Sequence, residues 1–98
     1  MKSIMPGDQK GRCYICHFYG ATEEHHIFGG NPNRKHSEEH GLKVNLCPTC
    51  HRTGEFSVHM DAVTRAWLQD KAQAEFEKTH SRGEFMEIFG KNYRRYEE

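Results

Sequence analysis

The sequence lacks an excess of charge of either sign, and it lacks a long hydrophobic run. Fourteen Lys and Arg residues balance fourteen Asp and Glu residues, so any nucleic-acid-binding surface would be a local patch and not a global field. No apolar run approaches the length of a membrane span, and the opening MKSIMPGDQK has no apolar region typical of a signal peptide. We therefore expect a cytoplasmic protein in a reducing compartment, with no membrane partner.

Apolar residues are also scarce, because only 35% of the 98 residues are hydrophobic while 29% are charged. A chain of this length fits one small domain with a thin core. Burial of apolar surface alone is marginal at this size, and a bound metal or partner would add stability. Four cysteines and eight histidines are available as metal ligands.

Two short segments of the sequence predict a β-hairpin. EEHHIFGG is typical of a strand ended by a Gly-Gly turn, and LKVNL alternates apolar and polar residues, so Leu42, Val44 and Leu46 are expected to face the core. The intervening NPNRKHSEEHG is polar, contains Asn-Pro and has no apolar pattern. We expect it to be a long loop that connects the two strands.

Helices are predicted after the hairpin. Pro48 suits an early helical position, followed by a first turn over Thr49–Arg52 that ends near Gly54. A longer helix is expected to begin near Met60 or Asp61, and its apolar stripe comprises Val63, Trp67, Ala74 and Phe76. The segment SRGE matches a capping box that opens a short helix, stopped by Gly90.

The cysteines form two CxxC pairs, Cys13 with Cys16 and Cys47 with Cys50, separated by thirty residues. Two thiolates three positions apart can bind one Zn²⁺ at a tight turn, and two such pairs complete a tetrahedron. Disulfides or four unrelated thiols are the alternatives, but the double spacing and a reducing compartment favour a structural zinc. A knuckle, a hairpin and a helix around one zinc describe a treble clef, and a four-thiolate site has no open coordination position.

Several histidines lie next to these elements. His51 follows Cys50, and a helical step of about 100° turns it away from the zinc, toward the strand that carries His25 and His26. Neighbouring residues on a regular strand face opposite sides. The two histidines can therefore serve one site only at a bulge, a strong twist or a strand end; the alternative is that one of them functions alone.

The segments EEHHIFGG and LCPTCH, with CYIC upstream, resemble the HNH endonuclease superfamily, and most closely the small phage and prophage HNH proteins with a four-cysteine treble clef. The resemblance implies an α+β fold with a zinc and ββα-metal core over residues 12–60. A helical part over residues 61–98 would complete a single nuclease domain, residues 11–98. Residues 1–10 are expected to form a flexible lead.

The resemblance also implies a role for each histidine. His25 matches a ligand of a catalytic divalent metal (Mg²⁺, Mn²⁺, Ni²⁺ or Zn²⁺), and His26 matches the general base that activates water. His51 matches the ligand after CxxC, and His59 is the expected third ligand. Glu55 lies four residues after His51 and is an alternative to His59.

The function implied is a metal-dependent endonuclease or nickase that hydrolyses DNA phosphodiester bonds. In a phage or prophage setting it would act in the bacterial cytoplasm, beside proteins of DNA packaging or recombination. Arg34, Lys35 and Arg52 are expected to contact phosphates. The alternative function is a non-catalytic zinc-finger module that binds DNA or assists packaging.

The sequence departs from the family at the middle residue of the HNH name, an asparagine that helps to position the base. The usual spacing places that asparagine near Leu42. The asparagines nearby are Asn31, Asn33 and Asn45. Two further histidines, His36 and His40, are expected to be exposed loop residues and not ligands.

Overall fold

The computed structural model describes residues 1–95, which form a small α+β domain. The elements in chain order are β1 (Glu23–His26), α1 (Asn33–His40), β2 (Lys43–Leu46), a π-helical turn (Thr49–Thr53), α2 (Ala62–Phe76) and α3 (Arg82–Phe89). Within residues 1–95, no helix is both long enough and apolar enough to cross a membrane. The last part of the predicted domain, residues 96–98, lies outside the described residues.

The predicted hairpin is present. Strands β1 and β2 pair antiparallel, with Glu23 opposite Leu46 and His26 opposite Lys43. The predicted alternation is confirmed, because Leu42, Val44 and Leu46 are fully buried. One face of the hairpin therefore packs on the core, and polar residues of both strands lie on the opposite face of the hairpin.

The connection between the strands is not the predicted loop, because it contains helix α1. The helix has no apolar stripe, and its anchor is the buried Ser37, which accepts a hydrogen bond from the Phe28 amide and donates one to the Phe28 carbonyl. Gly41 ends the helix in the left-handed region at φ 70°. A polar helix held by such tertiary contacts leaves little periodic signal in the sequence.

The expectation of a flexible lead also differs from the structure, in which this segment lies along the hairpin. The Ser3 hydroxyl donates to the Lys43 carbonyl, the Ile4 amide donates to the Gly41 carbonyl over 2.9 Å, and Met5 is buried in the core. Met5 is a buried side chain among Pro, Gly and charged residues. Its burial could not be predicted, because the segment has no periodic apolar pattern.

Helix α2 starts as predicted. The Asp61 side chain caps it by accepting from the Thr64 amide over 3.0 Å. The predicted apolar stripe is only partly correct: Phe76 is buried, but Val63 is exposed and Trp67 is half-buried. The residues that face the core are spaced four apart, as one helical face requires: Leu68, Ala72 and Phe76.

Helix α3 also packs on the core. The predicted capping box between Ser81 and Glu84 is present, and Gly90 ends the helix at φ 90°. Phe85 and Phe89 stack with ring centroids 4.7 Å apart. Both rings pack on Phe28, just beyond β1, so the end of the strand is held against the helical part of the domain.

Candidate metal centres

The four cysteines converge on one point. Their Sγ atoms all lie within 4.8 Å of one another, and the Sγ atoms of Cys16 and Cys47 are 3.7 Å apart. Ligands of a tetrahedral Zn²⁺ with bonds of about 2.3 Å would have sulfur atoms about 3.8 Å apart. The four cysteines could therefore hold a zinc ion.

The two CxxC segments have the same local geometry. The Cys16 amide points at Cys13 Sγ and the Cys50 amide points at Cys47 Sγ, each over 3.5 Å. His17, at φ 67°, lets the first turn reverse so that the Cys13 amide reaches the Phe18 carbonyl. Each turn thus places two sulfurs on one side, with amide hydrogens that stabilise thiolates.

The electrostatics of this cluster favour a cation at its centre. Burial raises the pKa of Cys13, but amide hydrogens, foremost that of Cys16, outweigh burial and bring the pKa down to about 6. Burial and then the neighbouring thiols raise the pKa of Cys50. Cys13 thus ionises readily, whereas Cys50 resists ionisation. A cation bound among the four sulfurs would lower the pKa of Cys50.

Three histidines form a second cluster on the other side of the turn. His25 comes from β1, His51 from the π-helical turn and His59 from the segment before α2, and one nitrogen of each lies within 4.8 Å of the others. The Nε2 atoms of His51 and His59 are 3.0 Å apart. The His25 ring is edge-on to both, with centroid distances of 5.2 Å.

This second cluster suits a divalent metal. His25 Nε2 is buried and has no hydrogen-bond partner among residues 1–95, an arrangement that costs free energy unless a ligand uses the nitrogen. Two imidazole ligands of one ion with bonds of about 2.0 Å would have nitrogens about 3.3 Å apart. Burial, and then the neighbouring rings, lower the pKa of His25 to about 3. Its imidazole is therefore neutral near pH 7, which is the metal-binding form.

Glu23 orients one of these rings and was missed by the sequence analysis. Its Oε1 atom lies 2.6 Å from His51 Nδ1. Because a carboxylate only accepts hydrogen bonds, His51 carries its proton on Nδ1, and its Nε2 lone pair faces the cluster. A signal was present in the sequence, since Glu23 lies two residues before His25 and hence on the same face of β1.

His26 lies outside the three-histidine cluster. Its Nε2 atom is 3.0 Å from Glu38 Oε1 on α1. The strand pairing is regular through His26, so the bulge considered from the sequence is not what relates the two neighbouring rings. Instead β1 ends at His26, and one open cleft is lined by both His25 and His26.

This cleft, with a volume of about 390 Å³, is also lined by basic residues from three elements: Arg34 of α1, Arg52 of the π-helical turn and Arg65 of α2. Two of them, Arg34 and Arg52, were expected phosphate contacts. The third expected contact, Lys35, lies on a neighbouring depression that Arg34 and His26 also line. The predicted general base, metal ligands and two of the three predicted cations thus border one cleft.

The alternative ligands lie elsewhere. Glu55 is exposed and does not belong to the histidine cluster, which takes His59 instead. His36 and His40 belong to α1 and not to a loop, and their rings lie against Phe89.

The candidate asparagines also have other contacts. The Asn45 amide donates to Asp8 over 2.7 Å, and its side chain donates to the same carboxylate. Asn33 donates to the Phe89 carbonyl over 3.4 Å, while Asn31 borders the depression beside the cleft. Leu42, at the usual place of the family's asparagine, is fully buried. Asn45 thus ties the N-terminal segment to β2.

Comparison of the chain with protein-family models, with curated proteins and with solved structures gave no match. The functional assignment therefore rests on the chemistry of the two clusters and of the cleft.

Proposed function

We propose that the protein is a metal-dependent endonuclease of the HNH type that hydrolyses phosphodiester bonds of DNA. The observation that carries the proposal is the convergence of His25, His51 and His59, with the buried Nε2 of His25 left without a partner among residues 1–95. His26 and three arginines line the same cleft. Metal ligands, a base and anion-binding groups are the components that metal-assisted phosphodiester hydrolysis needs.

In this proposal the four-cysteine cluster is a structural zinc centre in a treble-clef arrangement. Cys13 and Cys16 come from a turn before the hairpin, and Cys47 and Cys50 lie where β2 leads into the π-helical turn. A four-thiolate zinc has no open coordination position and does no chemistry. Its role is to hold the turn that carries His51 against β1.

The reaction itself would use His26 as the general base. A neutral imidazole nitrogen of His26 takes a proton from a water molecule, whose oxygen forms a bond to phosphorus. The opposite phosphorus–oxygen bond breaks, its electron pair stays on the leaving oxygen, and that oxygen takes a proton from solvent. A divalent ion held by His25, His51 and His59 would neutralise charge that develops on the phosphate oxygens.

Arg34, Arg52 and Arg65 would contact the phosphates on either side of the scissile bond. They approach the cleft from three different elements, and guanidinium groups bind phosphate oxygens through paired hydrogen bonds. Contacts to the backbone carry no base information, so we expect little sequence preference. The resemblance of EEHHIFGG and LCPTCH to phage and prophage proteins supports a place beside DNA packaging or recombination.

The proposal is tested by nicking of supercoiled plasmid with Mg²⁺, Mn²⁺, Ni²⁺ or Zn²⁺, for the wild type and for His26→Ala. We expect metal-dependent nicking that falls about 10²- to 10⁴-fold in the variant, the usual contribution of a general base. His36→Ala is the matched control, because His36 lies on α1 against Phe89.

Equal nicking by the wild type and His26→Ala would remove His26 as the base. DNA binding without cleavage in any of these metals would contradict the enzyme and support the non-catalytic DNA-binding module.

A further inference from the structure

His26 and Glu38 form a close pair at the edge of the cleft. His26 Nε2 lies 3.0 Å from Glu38 Oε1, and only 12% of the His26 side chain is exposed. Because an ionised carboxylate can only accept, the imidazole donates its Nε2 hydrogen. Nδ1 is then the nitrogen of His26 that is left to accept a proton.

The second carboxylate oxygen of Glu38 also accepts hydrogen bonds. Its Oε2 atom accepts from Lys43 Nζ over 2.7 Å and from the amino group of Met1 over 3.1 Å. Hydrogen bonds from Lys43, then from His26 and the N-terminus, lower the pKa of Glu38 to about 2. The carboxylate therefore remains ionised in neutral and mildly acidic solution.

Helix α1 fixes where Glu38 stands. The preceding residue, Ser37, is fully buried and makes two hydrogen bonds to the backbone of Phe28, two residues beyond β1. This anchor sets the rotation of α1 over the end of the strand. Glu38 therefore approaches His26 from a packed helix and not from a mobile loop.

The pair also needs to be distinguished from a metal site, since Glu24, His26 and Glu38 lie close enough to share an ion. The Lys43 ammonium lies 2.7 Å from Glu38 and 3.4 Å from Glu24. A lysine that bridges the two carboxylates already supplies positive charge there, and a divalent ion would be repelled by it. The arrangement therefore favours hydrogen bonding over metal binding.

We propose that Glu38 is the positioning residue of the general base: it holds His26 by Nε2 and so presents Nδ1 to the water that attacks phosphorus. This inference rests on the proposed function. It assigns to Glu38 the task of the family's middle asparagine, whose usual place is occupied here by the buried Leu42. It also gives the polar helix α1 a role in the site.

The first test is spectroscopic and needs no activity. Nitrogen NMR of the zinc-loaded, ¹⁵N-histidine-labelled protein in mildly alkaline buffer reports which ring nitrogen carries the proton, and His26 is assigned by its loss in His26→Ala. We expect the Nε2–H tautomer in the wild type and a mixture in Glu38→Ala. In Glu38→Gln the single amide oxygen is drawn to the Lys43 ammonium, so the NH₂ group donates to His26 Nε2 and the Nδ1–H tautomer is expected instead.

The matched control is Glu39→Gln, which changes the neighbouring acid of the same helix, paired with His36 over 3.7 Å. It should leave the His26 tautomer unchanged. An Nδ1–H tautomer in the wild type, or no change in Glu38→Ala, would overturn the proposal.

The second test is kinetic. Glu38→Ala should lower kcat for plasmid nicking about 10- to 100-fold, by analogy with the partners that orient metal-bound imidazoles, with KM unchanged. Glu38→Gln should not recover that loss, because its NH₂ group faces His26 Nε2 and Nδ1 then carries the proton. Thermal melting and metal content are measured alongside, because loss of the Lys43 ion pair affects stability in both variants.

The results of these tests distinguish the nuclease proposal from the proposed role of Glu38. A wild type that never nicks DNA contradicts the nuclease, while the tautomer measurement still decides the contact of Glu38 with His26. A wild type that nicks and a folded Glu38→Ala variant with the same kcat would overturn the role of Glu38 alone. Release of a metal ion by Glu38→Gln would show that Glu38 is a ligand and would also overturn it.

Discussion

The four-cysteine cluster and the three-histidine cluster differ in what they leave open. The cysteines bring four potential ligands to one point, enough for a tetrahedral ion, whereas the histidines bring three and border a cleft. A metal with four protein ligands is a structural element, and one with three keeps a position for water or substrate. Ligand number and exposure are therefore the reason why we propose a supporting role for the cysteine cluster and a chemical role for the histidine cluster.

The two clusters are joined through one short turn. Cys50 and His51 are neighbours in the chain, yet Cys50 faces the other cysteines while His51 faces Glu23 and His59. The helical rotation between consecutive residues separates their directions. We therefore expect the geometry of the histidine cluster to depend on the cysteine cluster. The cysteine cluster should not depend on the histidines.

The largest expected effect is that of Cys47→Ser. Cys47 is 6% exposed and belongs to the closed cluster. Structural zinc sites contribute about 10–16 kcal/mol in small domains, which matches or exceeds the whole stability of about 5–15 kcal/mol. We expect the variant to lose its cooperative thermal transition, measured by circular dichroism, together with its zinc.

Thr49→Ser, within the same CxxC turn, is the control and should melt like the wild type. A folded Cys47→Ser protein with a normal transition would show that the cysteine cluster does not support the fold.

The second expected effect, that of His51→Gln, is limited to the histidine cluster. His51→Gln keeps a side chain of similar size but removes the imidazole that Glu23 orients. We expect it to lose the second metal ion and plasmid nicking, and to keep the zinc and the melting transition. Elemental analysis of the dialysed protein measures both metals, with His36→Gln as the control. Release of the cysteine-bound zinc by His51→Gln would mean that the two clusters are not separate centres.

The smallest effect is expected for Glu23→Gln. The amide oxygen can still accept from His51 Nδ1 but carries no charge, so the imidazole becomes a weaker ligand. Loss of such a partner typically lowers metal affinity about 10- to 100-fold, which calorimetric titration of the zinc-loaded protein with Mn²⁺ or Ni²⁺ would measure.

Glu39→Gln, which changes an exposed acid of α1 outside all of these clusters, is the control for this effect. Equal affinities for wild type and Glu23→Gln would leave the contact between Glu23 and His51 without a role in metal binding.

Features with a local pattern could be predicted from the sequence. The alternation of Leu42, Val44 and Leu46 predicted the core face of β2, and the two CxxC pairs predicted a four-cysteine cluster. The helical step after Cys50 placed His51 toward the strand with His25, and the two rings do meet. Each of these inferences depends on neighbours in the chain or on a fixed repeat.

Features that depend on tertiary contacts could not be predicted in this way. Helix α1 is held by one buried serine, and the N-terminal segment by Met5 and hydrogen bonds to the hairpin. Glu38 reaches His26 across twelve positions of the chain, and no spacing rule links a polar helix to a strand end. Glu38 was therefore missed as the partner of His26, although the sequence analysis had singled out the histidine itself.

The most direct test of two separate metal centres is anomalous diffraction from crystals of the zinc-loaded protein soaked in Mn²⁺, with data collected at the absorption edges of both metals. We expect zinc among the four Sγ atoms of the cysteines and manganese beside the Nε2 atoms of His25, His51 and His59. Manganese bound instead by Glu24, His26 and Glu38, or no ion beside the three histidines, would contradict this expectation.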